Sequence, residues 1–315
     1  MHGCGAKGAG TRVLIIFPGA LGDLICLIPT IRVIASRHAS AQIELMARHE
    51  LARFVVERSD LARAHSIDRA EVAQLFATGA EVPTDAEKFF GGFARIYSFF
   101  AAEDARFRRR LSAIAKEVSF HPFAPPGDDH VARGYLRSIA AAGAPMDASL
   151  EPTPYDRIAA AAHLERLALE PDRFILVLPG SGSRWKNWPA EKFAELAERL
   201  STRMCSLVIL GPAESGLKSA FHDRQIATLD ALELGEVAGL AESARAFVGN
   251  DSGIAHLAAA VGAPGVVLFG LTQPARWRPL GAARAVWREP IASITIDEVT
   301  AELTEIIAKP RPGRL

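Results

Sequence analysis

The chain has 315 residues, enough for two domains of roughly 150 residues each. Hydrophobic residues make up 49% and charged residues 23%, and Lys+Arg and Asp+Glu both number 36, so nothing global points to nucleic acid and any phosphate recognition is local. The three cysteines, Cys4, Cys26 and Cys205, form no CxxC pair, which argues against a disulfide framework or zinc site and for a reducing compartment.

Residues 1–11 (MHGCGAKGAGT) are small and glycine-rich and read as disordered, and Cys4 lacks the preceding apolar run of a lipidation site. Val13-Leu14-Ile15-Ile16-Phe17 is a continuous apolar run, the mark of a strand buried on both faces of a parallel sheet. Pro18-Gly19-Ala20-Leu21-Gly22-Asp23 reads as a loop, and an amphipathic helix is predicted over residues 24–37. These breaks exclude a signal sequence here, and no stretch reaches the ~18 uninterrupted apolar residues of a membrane span. A strand at 42–46, a helix at 49–58 and a weaker strand at 64–67 continue the alternation. Residues 79–93 read as loop around Pro83, Gly91 and Gly92, with a strand at 94–99 after them. The run Arg106-Phe107-Arg108-Arg109-Arg110 is the densest positive patch; it is either a solvated helix face or a contact for an anionic acceptor or a membrane surface. A strand near 117–120 and a helix over 129–142 complete the first half.

Residues 143–154 contain three prolines and no hydrophobic period, and the domain boundary is expected there, giving domains 1–150 and 151–315. The second half then reads as helix 155–169, strand 174–178, helix 189–200, strand 206–210, and helices 214–221 and 234–241. A strand at 246–248 leads through a tight turn at Gly249 and Asn250 to a helix capped by Ser252 and running to about Val261. A strand at 265–269 and a closing helix at 296–308 end the pattern. Two successive runs of this kind predict an α/β fold with two doubly wound domains facing a cleft.

Three loops of the second half follow predicted strands and so lie at the carboxyl ends of a parallel sheet, where ligands bind. In Pro179-Gly180-Ser181-Gly182-Ser183-Arg184-Trp185-Lys186-Asn187-Trp188-Pro189, small residues let backbone donors approach an anion that Lys186 or Arg184 can neutralise. In Gly211-Pro212-Ala213-Glu214, Glu214 either accepts ribose hydroxyls or sits as an acidic residue in a helix's first turn. In Asn250-Asp251-Ser252-Gly253, Asp251 stands beside a helix start whose free N–H groups attract anions, with His256 one turn in. Asp23 of the first half is either a helix cap or a reactive carboxylate. No Walker loop, full dinucleotide fingerprint, metal-ligand spacing or Ser/His/Asp arrangement occurs.

Together these loops resemble the ADP-heptose:lipopolysaccharide heptosyltransferases of glycosyltransferase family 9. The matching pieces are Gly19-Ala20-Leu21-Gly22-Asp23 with Pro29 downstream, the 179–189 loop, Asn250 through Ala260, and Phe269-Gly270 to Trp277. The resemblance implies a GT-B fold of two Rossmann-like domains facing a central cleft, with acceptor on the first and nucleotide sugar on the second. It implies inverting, metal-independent transfer of heptose from ADP-heptose to a saccharide or glycolipid acceptor such as lipopolysaccharide core, with the donor as substrate and no cofactor. It also implies a cytoplasmic enzyme, peripheral at the inner face of the membrane. By the resemblance Asp23 is the catalytic aspartate, beside Gly19 and Gly22. Lys186, after Ser181, Gly182 and Ser183, contacts donor phosphate; Glu214 holds the nucleoside; Asp251, Ser252, Gly253 and His256 form the donor-binding helix start. Pro18 stands where the family often has a small or basic residue, and Gln273 replaces a common aspartate. The rival readings are a GT-B transferase or epimerase using another sugar, and a non-catalytic nucleotide-sugar-binding protein. A nicotinamide dehydrogenase is disfavoured for want of the fingerprint.

Overall fold

In a computed structural model the described residues are 10–78 and 84–310. The expectations for residues 1–9 and 79–83 lie outside them, as does the side chain of Arg184. Contacts divide the chain into two compact units: Met1–Ala20, Leu27–Gly127 and Ala132–Pro145 form one, and Leu21–Cys26, Asp128–Val131 and Met146–Leu315 the other.

The first unit is built on a five-stranded sheet of order β3-β2-β1-β4-β5, from β1 (Arg12–Ile16), β2 (Gln42–Ala47), β3 (Arg63–Ser66), β4 (Arg95–Ser98) and β5 (Val118–Phe120). Every pairing is parallel. β1 is central because Val13 through Ile16 are apolar on both faces and all four are buried. The expected loop at 79–93 is instead, where described, a helix over Thr84–Phe90. Ala86 and Phe90, four apart, share one face of it and are buried. Gly91 and Gly92 end that helix, and the Gly91 N–H donates to the Glu87 carbonyl at 2.8 Å. A short helix at Ala70–Gln74 was also unexpected.

The second unit carries a six-stranded parallel sheet of order β11-β10-β9-β6-β7-β8. Its strands are β6 (Phe174–Leu178), β7 (Cys205–Leu210), β8 (Ala227–Asp230), β9 (Ala246–Asn250), β10 (Gly265–Phe269) and β11 (Ala283–Trp287). β8 and β11 escaped the sequence reading because they are half-exposed edge strands without an apolar run. The expected helix at 214–221 is a 3-10 segment, Pro212–Leu217, followed by a short α-helix, Lys218–His222. Gly249 and Asn250 belong to β9, where they face Leu178 and Leu268, so the turn falls at Asp251 and Ser252. A side chain at 249 would bring Cβ within 2.8 Å of Leu178 Cβ, which is why glycine can continue the strand there.

The order of both sheets places the earliest strand of each between its second and fourth, so connections run outward in opposite directions from β1 and from β6. That reversal opens a crevice at the carboxyl ends of the strands. In the second unit it falls between β6 and β9, whose following loops are the 179–189 and 251–253 segments.

β1 is tied to its neighbours by charge. Glu44 on β2, 2% exposed, accepts from Arg12 Nε at 2.6 Å and Arg12 Nη2 at 3.0 Å, and lies 2.5 Å from His65 Nε2 on β3. Burial alone would raise this carboxyl, but the bonds from His65 and Arg12 hold it down at about 2. A depressed carboxylate contributes stability that is complete above the unfolded value and lost as pH falls towards 2. Glu44→Ala should therefore cost about 3 kcal/mol by leaving Arg12 and His65 without their anion, and should flatten the acid limb of the stability profile. Chemical denaturation from pH 7 to 3 checks both; a curve superimposable on wild type would refute the network's importance.

Candidate functional site

Three loop ends of the second unit meet on one carboxylate. Asp251 follows β9 and is 8% exposed; its Oδ2 accepts from Lys186 Nζ at 3.2 Å and from Thr272 Oγ1 at 2.6 Å. Lys186 comes from the loop after β6 and Thr272 from the loop after β10. The wholly buried Asn250, at the end of β9, ties down both ends of the 179–189 loop: Oδ1 accepts from Trp188 N at 2.9 Å and Nδ2 donates to the Pro179 carbonyl at 2.7 Å. Within the 179–189 loop, the Ser181 hydroxyl lies 2.7 Å from the Ser183 carbonyl and 2.6 Å from Asn187 Oδ1, and accepts from Ser183 N at 3.2 Å. Ser181 and Ser183 thus shape the loop that presents Lys186. Gly182 is exposed with open space where a side chain would stand. Trp188 anchors the loop's far end, buried and donating from Nε1 to the Ile294 carbonyl at 3.0 Å.

Beside this cluster begins the helix Gly253–Ala260, capped by Ser252, whose hydroxyl accepts from Ala255 N at 3.3 Å. A second helix start, that of Leu21–Arg37, lies against it. A Cβ on Gly253 would stand 3.0 Å from Leu21 Cβ and 3.2 Å from Gly22 N; one on Gly22 would stand 3.2 Å from His256 Cδ2. Two helix starts at this separation bring the positive ends of two helix dipoles to one place. The Leu21–Arg37 helix begins three residues earlier than expected, so Asp23 lies within its first turn. Asp23 belongs by contacts to the second unit, whereas Gly19, buried after β1, belongs to the first.

His256 is 3% exposed, with Nδ1 3.6 Å from Cys26 Sγ. Burial pushes its pKa down to about 4, against the opposing attraction of Asp251; His130 and Lys186 push it further down, and a hydrogen bond to the Trp277 backbone pulls it up. Cys26 is held protonated, its thiol pushed up by burial and by the charges of Asp23 and Asp251. A neutral imidazole facing a protonated thiol is a packing contact that pins the first turn of one helix to the other. Glu214 lies across both neighbouring glycine turns: a Cβ on Gly180 would meet its Cδ at 2.5 Å, and one on Gly211 its Oε2 at 2.6 Å. The bare backbone at both positions is what lets that carboxylate settle between the loops after β6 and β7.

The arginine run occupies the helix Ala105–Ile114 of the first unit. Arg106, Arg108 and Arg110 donate to the carbonyls of Phe76, Ala102 and Gln74 at 3.0, 3.2 and 2.9 Å. Arg106 and Arg109, one turn apart, line an open cavity with Phe76 and Asp104. Among the described residues, no helix is long and apolar enough to cross a membrane.

The family model described as glycosyltransferase family 9 (heptosyltransferase) matches residues 108–302, more than half of the chain. The chain belongs to glycosyltransferase family 9. It is 30% identical over 112 residues to lipooligosaccharide heptosyltransferase 2 of Haemophilus influenzae, a stretch covering 33% of this chain and 32% of that one. It therefore spans about a third of the length of the relatives it matches by sequence. In fold it is similar to the family 9 glycosyltransferase structure from Veillonella parvula, with a TM-score of 0.77 at 16% identity, covering 94% of this chain and 97% of that one. It is likewise similar to the E. coli ADP-heptose lps heptosyltransferase II structure, with a TM-score of 0.72 at 18% identity, covering 94% and 98%. This is the GT-B fold, with two Rossmann-like units.

Of the residues singled out in this family 9 chain, Gly22, Asp23, Ser181, Gly182, Ser183, Lys186, Glu214, Asp251, Ser252, Gly253 and His256 fall within the second unit, and Gly19 within the first. Thr272 and Cys26, which the structure brings to this cluster, were not singled out from the sequence, and Asn250 was read only as part of a turn. Their types carry no signal by spacing, although an asparagine ending an apolar strand is one that could have been followed. Because the His256 pKa is depressed by folding, its contribution to stability is complete above about 6.5 and is lost as pH falls towards 4. His256→Gln should remove that part of the pH dependence between 4 and 6.5, as measured by calorimetric unfolding. An unchanged slope in the variant would show that His256 titrates normally.

Proposed function

We propose that this family 9 chain is an inverting glycosyltransferase that moves a heptose from ADP-heptose to a hydroxyl of a saccharide acceptor such as lipopolysaccharide core. The observation that carries the reading is the convergence of Lys186, Asp251 and Thr272 beside two abutting helix starts, with Asp23 in one of those first turns. The family's description as heptosyltransferase and the relatives' names support the choice of sugar. ADP-heptose stands in the names of structural neighbours and supplies the donor in this proposal.

In this mechanism Asp23 takes the proton of the acceptor hydroxyl as its oxygen attacks the anomeric carbon. The diphosphate departs from the opposite face, so the configuration inverts. Negative charge growing on the diphosphate is met by Lys186 and by the N–H groups around Ser252 and Gly253, so the protein supplies the positive charge and no metal or other cofactor enters the scheme. Glu214 accepts ribose hydroxyls from the donor, and Asp251 accepts a hydroxyl of the sugar nucleotide. Ser181, Gly182 and Ser183 present the loop that carries Lys186; Gly19 lies in the segment before the helix of Asp23, and Gly22, in that helix's first turn, lets Gly253 and His256 approach the substrate side of the site. His256 contributes by holding the helix start in place. Residues 1–150 serve the acceptor and residues 151–315 the donor. The cavity beside Arg106 and Arg109 offers cations to an anionic acceptor or to the headgroups at the cytoplasmic face of a membrane.

Lys186→Ala should weaken ADP-heptose and ADP alike by roughly 1.5–3 kcal/mol, the worth of a charge-assisted bond. Asp251→Ala should harm the complete sugar nucleotide more than ADP. Calorimetric titration with both ligands tests this, and unchanged affinities in both variants would remove the donor assignment. Asp23→Asn should keep thermal stability and donor affinity while turnover falls on the order of 10²–10⁴-fold, the usual contribution of a positioned base. Near-normal transfer by that variant, with competent donor and acceptor, would take Asp23 out of the mechanism.

A further inference from the structure

Asp251 uses its two oxygens unequally. Oδ2 accepts from both Thr272 Oγ1, at 2.6 Å, and Lys186 Nζ, at 3.2 Å. Oδ1 carries no hydrogen bond among the described residues. The Asp251 side chain is 9% exposed and that of Lys186 34%, so the lysine is the partner that solvent and ligand can reach.

We propose that Thr272 is the positioning residue by which this site distinguishes a complete sugar nucleotide from the bare nucleoside diphosphate, an inference that rests on the donor reading above. A diphosphate brings more negative charge to Lys186 than one carboxylate does, so its arrival draws the ammonium away from Asp251. Without another partner, Asp251 would then be a mostly buried anion with no hydrogen-bond donor on Oδ2, and that cost would oppose binding. The Thr272 hydroxyl is a neutral donor and is not drawn to the phosphates in the same way. Its short bond keeps Oδ2 occupied when the lysine leaves. It also resists rotation of the carboxylate, which leaves Oδ1 as the acceptor for a sugar hydroxyl. Thr272 touches no substrate in this scheme; it acts through Asp251. The gain therefore goes to ligands that offer a hydroxyl to Oδ1, and a nucleoside diphosphate without the sugar benefits less.

A plainer role would have Thr272 merely fasten the loop after β10 to the turn after β9. The two roles separate on calorimetric titrations of wild type, Thr272→Val and Thr272→Ser with ADP and with ADP-heptose, repeated for Thr272→Val in an Asp251→Ala background, with thermal unfolding of each protein alongside. Thr272→Val should raise the Kd for ADP-heptose on the order of tenfold and that for ADP by clearly less. Thr272→Ser, which keeps the hydroxyl, should stay within about twofold of wild type, and in the Asp251→Ala background the valine should add no further loss. Equal losses for the two ligands, a serine variant as weak as the valine one, or the same step without Asp251 would each overturn the inference. If wild type binds ADP-heptose and Thr272→Val binds it equally well, the inference fails and the donor reading stands. If wild type binds neither ligand, both fail.

Discussion

A carboxylate removed from water has to be compensated, and in this protein that requirement organises the second unit's loops. Asp251 is 8% exposed just past the end of a central strand. Its partners come from the ends of two other connections, Lys186 after β6 and Thr272 after β10. Each loop must therefore hold one conformation for the anion to be tolerated. The wholly buried Asn250 reinforces the same arrangement, joining the backbone at Pro179 to that at Trp188.

Close backbone approach is the second constraint, and glycine meets it at the two points that matter. Gly22 and Gly253 let the starts of two helices abut, with would-be Cβ contacts of 3.2 and 3.0 Å at their tightest. The Leu21 side chain rests on Gly253 and the His256 ring on Gly22, so the two helix starts, with their positive end charge, lie side by side. His256 and Cys26 fill the space behind them, as a neutral ring and a protonated thiol, and keep charge out of the interior.

The arginine run shows how tertiary structure redistributes a sequence signal. Five consecutive residues with four arginines look like one basic face. In the fold they spread around a helix, and Arg110 is 7% exposed, donating to the Gln74 carbonyl. Arg108 lies over the Phe120 ring at 5.0 Å, while Arg106 and Arg109 share a cavity. Helical periodicity places neighbours in sequence about 100° apart, so a run of charges becomes several separate contacts.

The sequence by itself determined the α/β alternation, the central strands and the loops worth following. Continuous apolar runs such as 13–17 and 174–178 can only be strands covered on both sides, and their ends mark where ligands meet a parallel sheet. It also determined the family, because the 179–189 and 250–260 segments keep their residue types in order along the chain. Edge strands β8 and β11 were illegible, since half-exposed strands of four or five residues need no apolar pattern. Only the tertiary structure decided that Asp23 groups with residues more than 200 positions away, that Thr272 completes Asp251, and that Glu214 rests on Gly180 and Gly211. Those are contacts between loop ends fixed by strand order, and strand order is set by how the helices pack on the sheet, which no local spacing encodes.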